Sequence, residues 1–253
     1  MTSRQPSHPA RSRRRIVLVV VLLILVAGAA VGGYGLWYLF FRPSGPPALA
    51  AQSLAPLPSI GAAAALPSGG LEGTWNVDTT IGSFADSTDS FVGYRVQEEL
   101  ANIGANTAVG RTPNVSGTLT IAGSKLTAVA ITADLTALQS DDSHRDGQLV
   151  NGGIETATFP TATFTLSSPV DLGATPTDGH EIDTTASGQL TLHGVTKTVQ
   201  VALKARLSGS VIEVVGSVPI VFTDYQISKP NGFTVLSIAD SGTMELQLFF
   251  THA

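Results

Sequence analysis

Between Leu190 and Leu207 the chain alternates with a period of two, reversing once at His193-Gly194. Leu190 and Leu192 share one side of a first segment, and Val199, Val201, Leu203, Ala205 and Leu207 share one side of a second. Thr198, Gln200, Lys204 and Arg206 fall on the opposite side. Only an extended strand keeps every second residue on one face; a helix would scatter this pattern around its circumference. The stretch therefore reads as a hairpin with one face on a core and one in water. Gly194 supplies the backbone freedom that the reversal needs.

Most of the chain after about residue 70 repeats this device. Phe91 to Val96 reads as a strand with Val92, Tyr94 and Val96 on one face, and Glu98 to Thr112, rich in Gly and Asn, as a short helix or irregular loop. Ser116 to Ile121 and Lys125 to Leu138 form a second hairpin, with Val129, Ile131, Ala133 and Leu135 assigned inward and Leu126 outward. Ser140 to Thr158 is a polar crossing with a helical turn around Arg145 to Leu149. Phe159 to Val170, Val211 to Phe222 and Thr243 to Phe250 supply further strands, the last with Met244, Leu246, Leu248 and Phe250 on one face. About eight strands with short connections favour an all-β antiparallel fold over a parallel α/β sheet. On alternation alone, a barrel around one ligand and a two-sheet sandwich with a solid core are equally good solutions.

The first 70 residues are unlike the rest. Residues 1–15 form a basic tail, and Ile16 to Phe41 then runs 26 residues without a charge, ending in aromatic residues. As a helix it would be about 39 Å long, enough to cross a hydrocarbon core of about 30 Å with tilt. The arginines at positions 11 and 13–15 place the N-terminus in the cytoplasm and residues 71–253 outside the cell membrane as the folded domain. A cleaved signal peptide is the competing reading, but its apolar region is usually shorter, roughly 7 to 15 residues. Residues 42–70, with six prolines and many alanines, read as an extended tether.

Charge and chemistry narrow the function. Residues 1–70 carry six arginines and no acid, whereas the remainder carries 8 basic and 19 acidic residues. A domain so acidic repels nucleic acid phosphates. The absence of cysteine removes disulfides, thiolate metal sites and a Cys nucleophile. No Gly-x-Ser-x-Gly elbow, Ser-x-x-Lys pair or phosphate-cradling Gly-Lys-Ser/Thr loop occurs, and His144, His180 and His193 have no second His at ligand spacing. The cluster Asp141 to Asp146 reads as a solvated segment of local caps and ion pairs. The expectation is a protein without catalytic residues, metal or cofactor.

Ordered motifs over residues 71–253 resemble the YceI-like family. The most specific is Gly188-Gln189-Leu190-Thr191-Leu192-His193-Gly194-Val195-Thr196-Lys197. Trp75-Asn76-Val77-Asp78, Arg145-Asp146 to Leu149, Phe159-Pro160-Thr161-Ala162-Thr163-Phe164 and Asp224-Tyr225-Gln226-Ile227 support it. Two family histidines are replaced by Asp89 and Glu98, and an arginine by Phe222. The resemblance implies a lipocalin-like barrel that holds a polyisoprenoid or other long-chain lipid. By parity and resemblance together, the residues expected to line the ligand are Val92, Tyr94, Val96, Val129, Ile131, Leu135, Phe164, Val199, Val201, Leu203, Met244, Leu246 and Leu248. The alternative is a non-catalytic envelope interaction module with a filled core.

Overall fold

The computed structural model describes residues 20, 23–24, 26–33, 70–101, 104–173, 177–230 and 235–253. By contact density the chain divides into two compact units, Met1–Pro43 and Ser44–Ala253. In the first unit the described residues are helical and exposed. Most of the expected membrane span and the tether lie outside the described residues. Among the described residues, no helix is long and apolar enough to cross a membrane.

Within the second unit, eight strands close into an antiparallel barrel. They are β1 (Gly73–Val77), β4 (Val115–Ala122), β5 (Lys125–Asp134), β7 (Thr161–Leu166), β9 (Glu181–Leu192), β10 (Val195–Ser208), β11 (Val211–Val221) and β12 (Val235–His252), in that spatial order. Closure rests on β1, whose Trp75 pairs with Leu119 on one side and His252 on the other. The Trp75 ring is fully buried and its indole N–H donates to the Leu71 carbonyl at 3.0 Å. Closing the sheet removes the unpaired edges that an open sheet would expose.

The β9–β10 hairpin has the predicted form. Its register runs from Leu192↔Val195 to Glu181↔Arg206, around a two-residue turn in which His193 (φ 52°) and Gly194 (φ 73°) are both left-handed. Two positive φ values are what a type I′ turn requires, and its twist matches that of the flanking strands. A left-handed non-glycine residue costs about 1–2 kcal/mol, so His193 must be held. Its Nδ1 lies 2.9 Å from the Tyr225 carbonyl, and its ring packs on Phe159 at 4.3 Å between centroids. A Cβ on Gly194 would strike the same Phe159 ring, at 2.7 Å.

Two sequence expectations need correction. Residues 98–100 and 104–112 are strand rather than a short helix or irregular loop: β2 (Phe91–Leu100) and β3 (Gly104–Thr112) pair antiparallel and extend the sheet from β12, with the two-residue β6 (Gln139–Ser140) at its edge. Pairing with β12 and β3 imposes extended structure where local composition suggests none. Leu126 is also inward. A bulge shifts the β4–β5 register, so that Thr120 faces Ala128 but Ile121 faces Leu126, which reverses parity after Thr127. The two-residue β8 (Val170–Asp171) covers this end of β5.

The polar crossing contains one helix, α1 (Ser143–Asn151). Asp142 caps its N-terminus by accepting from the His144 N–H at 2.9 Å. Arg145 then reaches back to Asp141 at 2.6 Å and across to Glu98 of β2 at 2.7 Å. The helix is thereby fastened to the sheet extension through charge, and the Asp146 carboxylate adds a hydrogen bond from the Ser140 N–H of β6 at 3.0 Å.

Candidate ligand cavity

Inward side chains of the barrel leave an apolar cavity of about 140 Å³. Ten of the thirteen residues expected from sequence line it: Val92, Val129, Ile131, Phe164, Val199, Val201, Leu203, Met244, Leu246 and Leu248. They converge because neighbouring strands place the same parity inward, as in Leu246↔Val92 between β12 and β2. Further walls come from Leu119, Ile121, Leu126, Leu190, Ile212, Val214, Val218 and Phe250. Alternation already marked Leu190 and Phe250 as inward, but nothing in the sequence separated wall from solid core. Leu126 was hidden by the bulge.

Tyr94, Val96 and Leu135 do not line the cavity. Beyond Val92, β2 runs between β12 and β3 alone and leaves the closed wall. The Tyr94 ring lies against Gly110 of β3, where a Cβ would strike it. Burial pushes the Tyr94 phenol well above its ordinary range, with Arg145 opposing and Asp146, Glu98 and Asp141 adding to the rise. Val96 packs at Gly242 of β12. Leu135 is 5% exposed and opens a 3-10 turn capped by Asp134, within the solid part of the core.

Polar side chains reach the wall chiefly at one end. These are Thr184, opposite Leu203 near the start of β9, and His180, just before that strand; Arg206 borders the cavity, but its side chain lies on the outward face of β10 opposite Glu181 and Glu213. Arg206 also donates to the buried Glu213 carboxylate at 2.6 Å. Along the rest of the wall the side chains offer almost no hydrogen-bonding group, so the cavity favours hydrocarbon over polar ligands.

Asp89 and Glu98 both lie outside the lining. Glu98 accepts from Arg145 and from Asn106, both at 2.7 Å. Arg145 is held above its ordinary value: its desolvation is outweighed by Glu98 and Asp141. Asp89 is 4% exposed, and its Oδ1 has no hydrogen-bond partner. Desolvation raises the Asp89 pKa, against a backbone hydrogen bond and the Arg111 charge. Among the described residues, no group of three or more His, Asp or Glu side chains could hold a metal ion.

Comparison with known proteins places this cavity in context. A family model described as a YceI-like domain matches residues 84–250. A polyisoprenoid binding domain from Saccharophagus degradans, implicated in plant cell wall breakdown, superposes with a TM-score of 0.54 at 23% identity. That match covers 71% of this chain and 98% of the other. Burkholderia cenocepacia BcnA gives 0.50 at 20% identity, covering 63% and 95%. At these identities the likeness speaks to the fold. No curated protein matches by sequence.

Proposed function

The chain belongs to the YceI-like domain family, and from that premise we propose that its barrel sequesters the apolar tail of a polyisoprenoid or similar long-chain amphiphile. The observation that carries this reading is a cavity inside a closed barrel, walled almost wholly by apolar side chains. The Saccharophagus degradans domain, described as polyisoprenoid binding, supports the choice of ligand class.

The mechanism is desolvation. Each Å² of apolar tail withdrawn from water contributes about 25 cal/mol before ordering costs are subtracted. The tail needs no polar partner, and the wall offers few. The head group belongs at the Thr184–His180 end, where polar side chains reach the lining. A cavity of about 140 Å³ is close to an engineered apolar cavity of roughly 150 Å³ that takes up benzene. A tail of several isoprene units therefore enters only as lining side chains move apart, or leaves most of its length outside.

Residues 16–41 act as a retained anchor in this reading, and residues 42–70 as the tether that holds the barrel on the extracytoplasmic side. The uninterrupted apolar run and the arginines before it support that placement.

The modest volume favours a second reading, an envelope interaction module whose core is effectively filled. Thermal unfolding of the full chain in phospholipid nanodiscs, with and without geranylgeraniol, separates the two. A ligand that binds only the native state raises the midpoint with its concentration, by about 2.7 kcal/mol of stability at 100 times Kd. An unchanged midpoint across the titration supports the filled core.

A further inference from the structure

Two glycines stand on the inner wall among large apolar residues. Gly216 of β11 pairs with Leu203 of β10 and Leu246 of β12, both of which line the cavity. Gly188 of β9 pairs with Val199 of β10 and Leu166 of β7. Neither has the left-handed backbone that would itself call for glycine. Gly in a strand interior weakens the strand and often marks a close approach by another group.

That group is a neighbouring side chain lying flat on the wall. A Cβ on Gly216 would come within 2.5 Å of Leu203 Cδ2, with Leu246 Cγ at 3.4 Å. A Cβ on Gly188 would collide with the far edge of the Phe164 ring. In both cases the tip of a large residue occupies the place of the missing side chain. Restoring that side chain would displace the tip, and the open direction is the cavity.

Resting on the lipid-sequestration reading, we infer that Gly188 and Gly216 set the bore of the barrel and so decide which tails it admits. They let Phe164 and Leu203 lie back against the wall, leaving a passage for a slender chain. Larger residues at 188 or 216 would send those tips inward and close it. The tails admitted are thin flexible hydrocarbons such as isoprenoid or alkyl chains, and fused-ring lipids are excluded.

Gly216 gives the cleaner test. Its nearest backbone neighbour, Ala202 O, would lie 3.1 Å from the new Cβ, whereas at Gly188 the carbonyl of Thr165 would lie at 2.6 Å. The full chain in phospholipid nanodiscs is photolabelled with a diazirine-bearing geranylgeraniol, and the label is mapped by peptide mass spectrometry. The expectation is about tenfold less label on β10 and β11 in Gly216→Ala, since overpacking a filled wall is costly, and recovery in Gly216→Ala/Leu203→Ala. Leu203→Ala alone should label at least as well as wild type and should admit a diazirine-bearing sterol that wild type refuses. A crystal structure of Gly216→Ala should show Leu203 Cδ2 moved into the cavity. Wild-type labelling of Gly216→Ala, or Leu203 unmoved in its structure, would overturn the inference. A wild type that takes no label sinks the lipid reading alone, and the wall claim then stands or falls on the Gly216→Ala structure.

Discussion

Asp89 shows how one side chain sets a pH dependence that the cavity does not. Its carboxyl is buried beside Arg111, and desolvation raises its pKa above the ordinary 3.8. Such a group favours the native state in its protonated form. Its contribution is fully present below pH 3.8 and is lost as pH rises through the higher native value. Asp89→Asn removes the ionisation and should raise the thermal midpoint at pH 7, with the gain shrinking towards zero near pH 3.5. A gain of equal size at both pH values would show that the carboxylate charge is not the cause. His193 carries a different lesson at this scale. As part of a strongly marked motif it invites a chemical role, yet its contacts with Tyr225 and Phe159 are those of a residue fixing a turn.

Among the elements, α1 depends on a buried ion pair. Glu98 and Arg145 have side chains only 6% and 13% exposed and meet at 2.7 Å. Arg145→Leu leaves Glu98 with Asn106 as its remaining partner and should cost about 3 kcal/mol in a urea melt. Pairing it with Glu98→Leu should recover most of that loss, because a buried pair stabilises little over apolar residues of similar size. Equal losses in the single and double variants would mean that α1 is held by packing alone. The same elements show what sequence can reveal. The β9–β10 hairpin was legible because both its turn and its alternation are local properties. Leu126 was not, because a single bulged residue at Thr127 reverses parity and leaves no mark in composition. The β2–β3 pair, and with it the position of Tyr94, depends on pairing with β12 from more than a hundred residues away. Local propensity carries no record of such a partner. The burial of Asp89, just before β2, and of Glu98 within it was hidden for the same reason, since acids ordinarily signify a solvated position.

In the whole molecule, a charge-free N-terminal run precedes a barrel with an apolar interior. If residues 16–41 anchor the chain, it should sediment with membranes through carbonate and high-salt washes and dissolve only in detergent. Release by carbonate alone would contradict anchoring without bearing on the barrel. The central claim is that the barrel holds a long apolar tail. Its most direct test is native mass spectrometry of the full chain purified from its own cells, with extraction and identification of any lipid that survives activation in the gas phase. One retained lipid per chain is expected, of isoprenoid or long alkyl type and enriched over its share of the cell's lipids. Protein that emerges free of lipid and takes up no geranylgeraniol when supplied would contradict it.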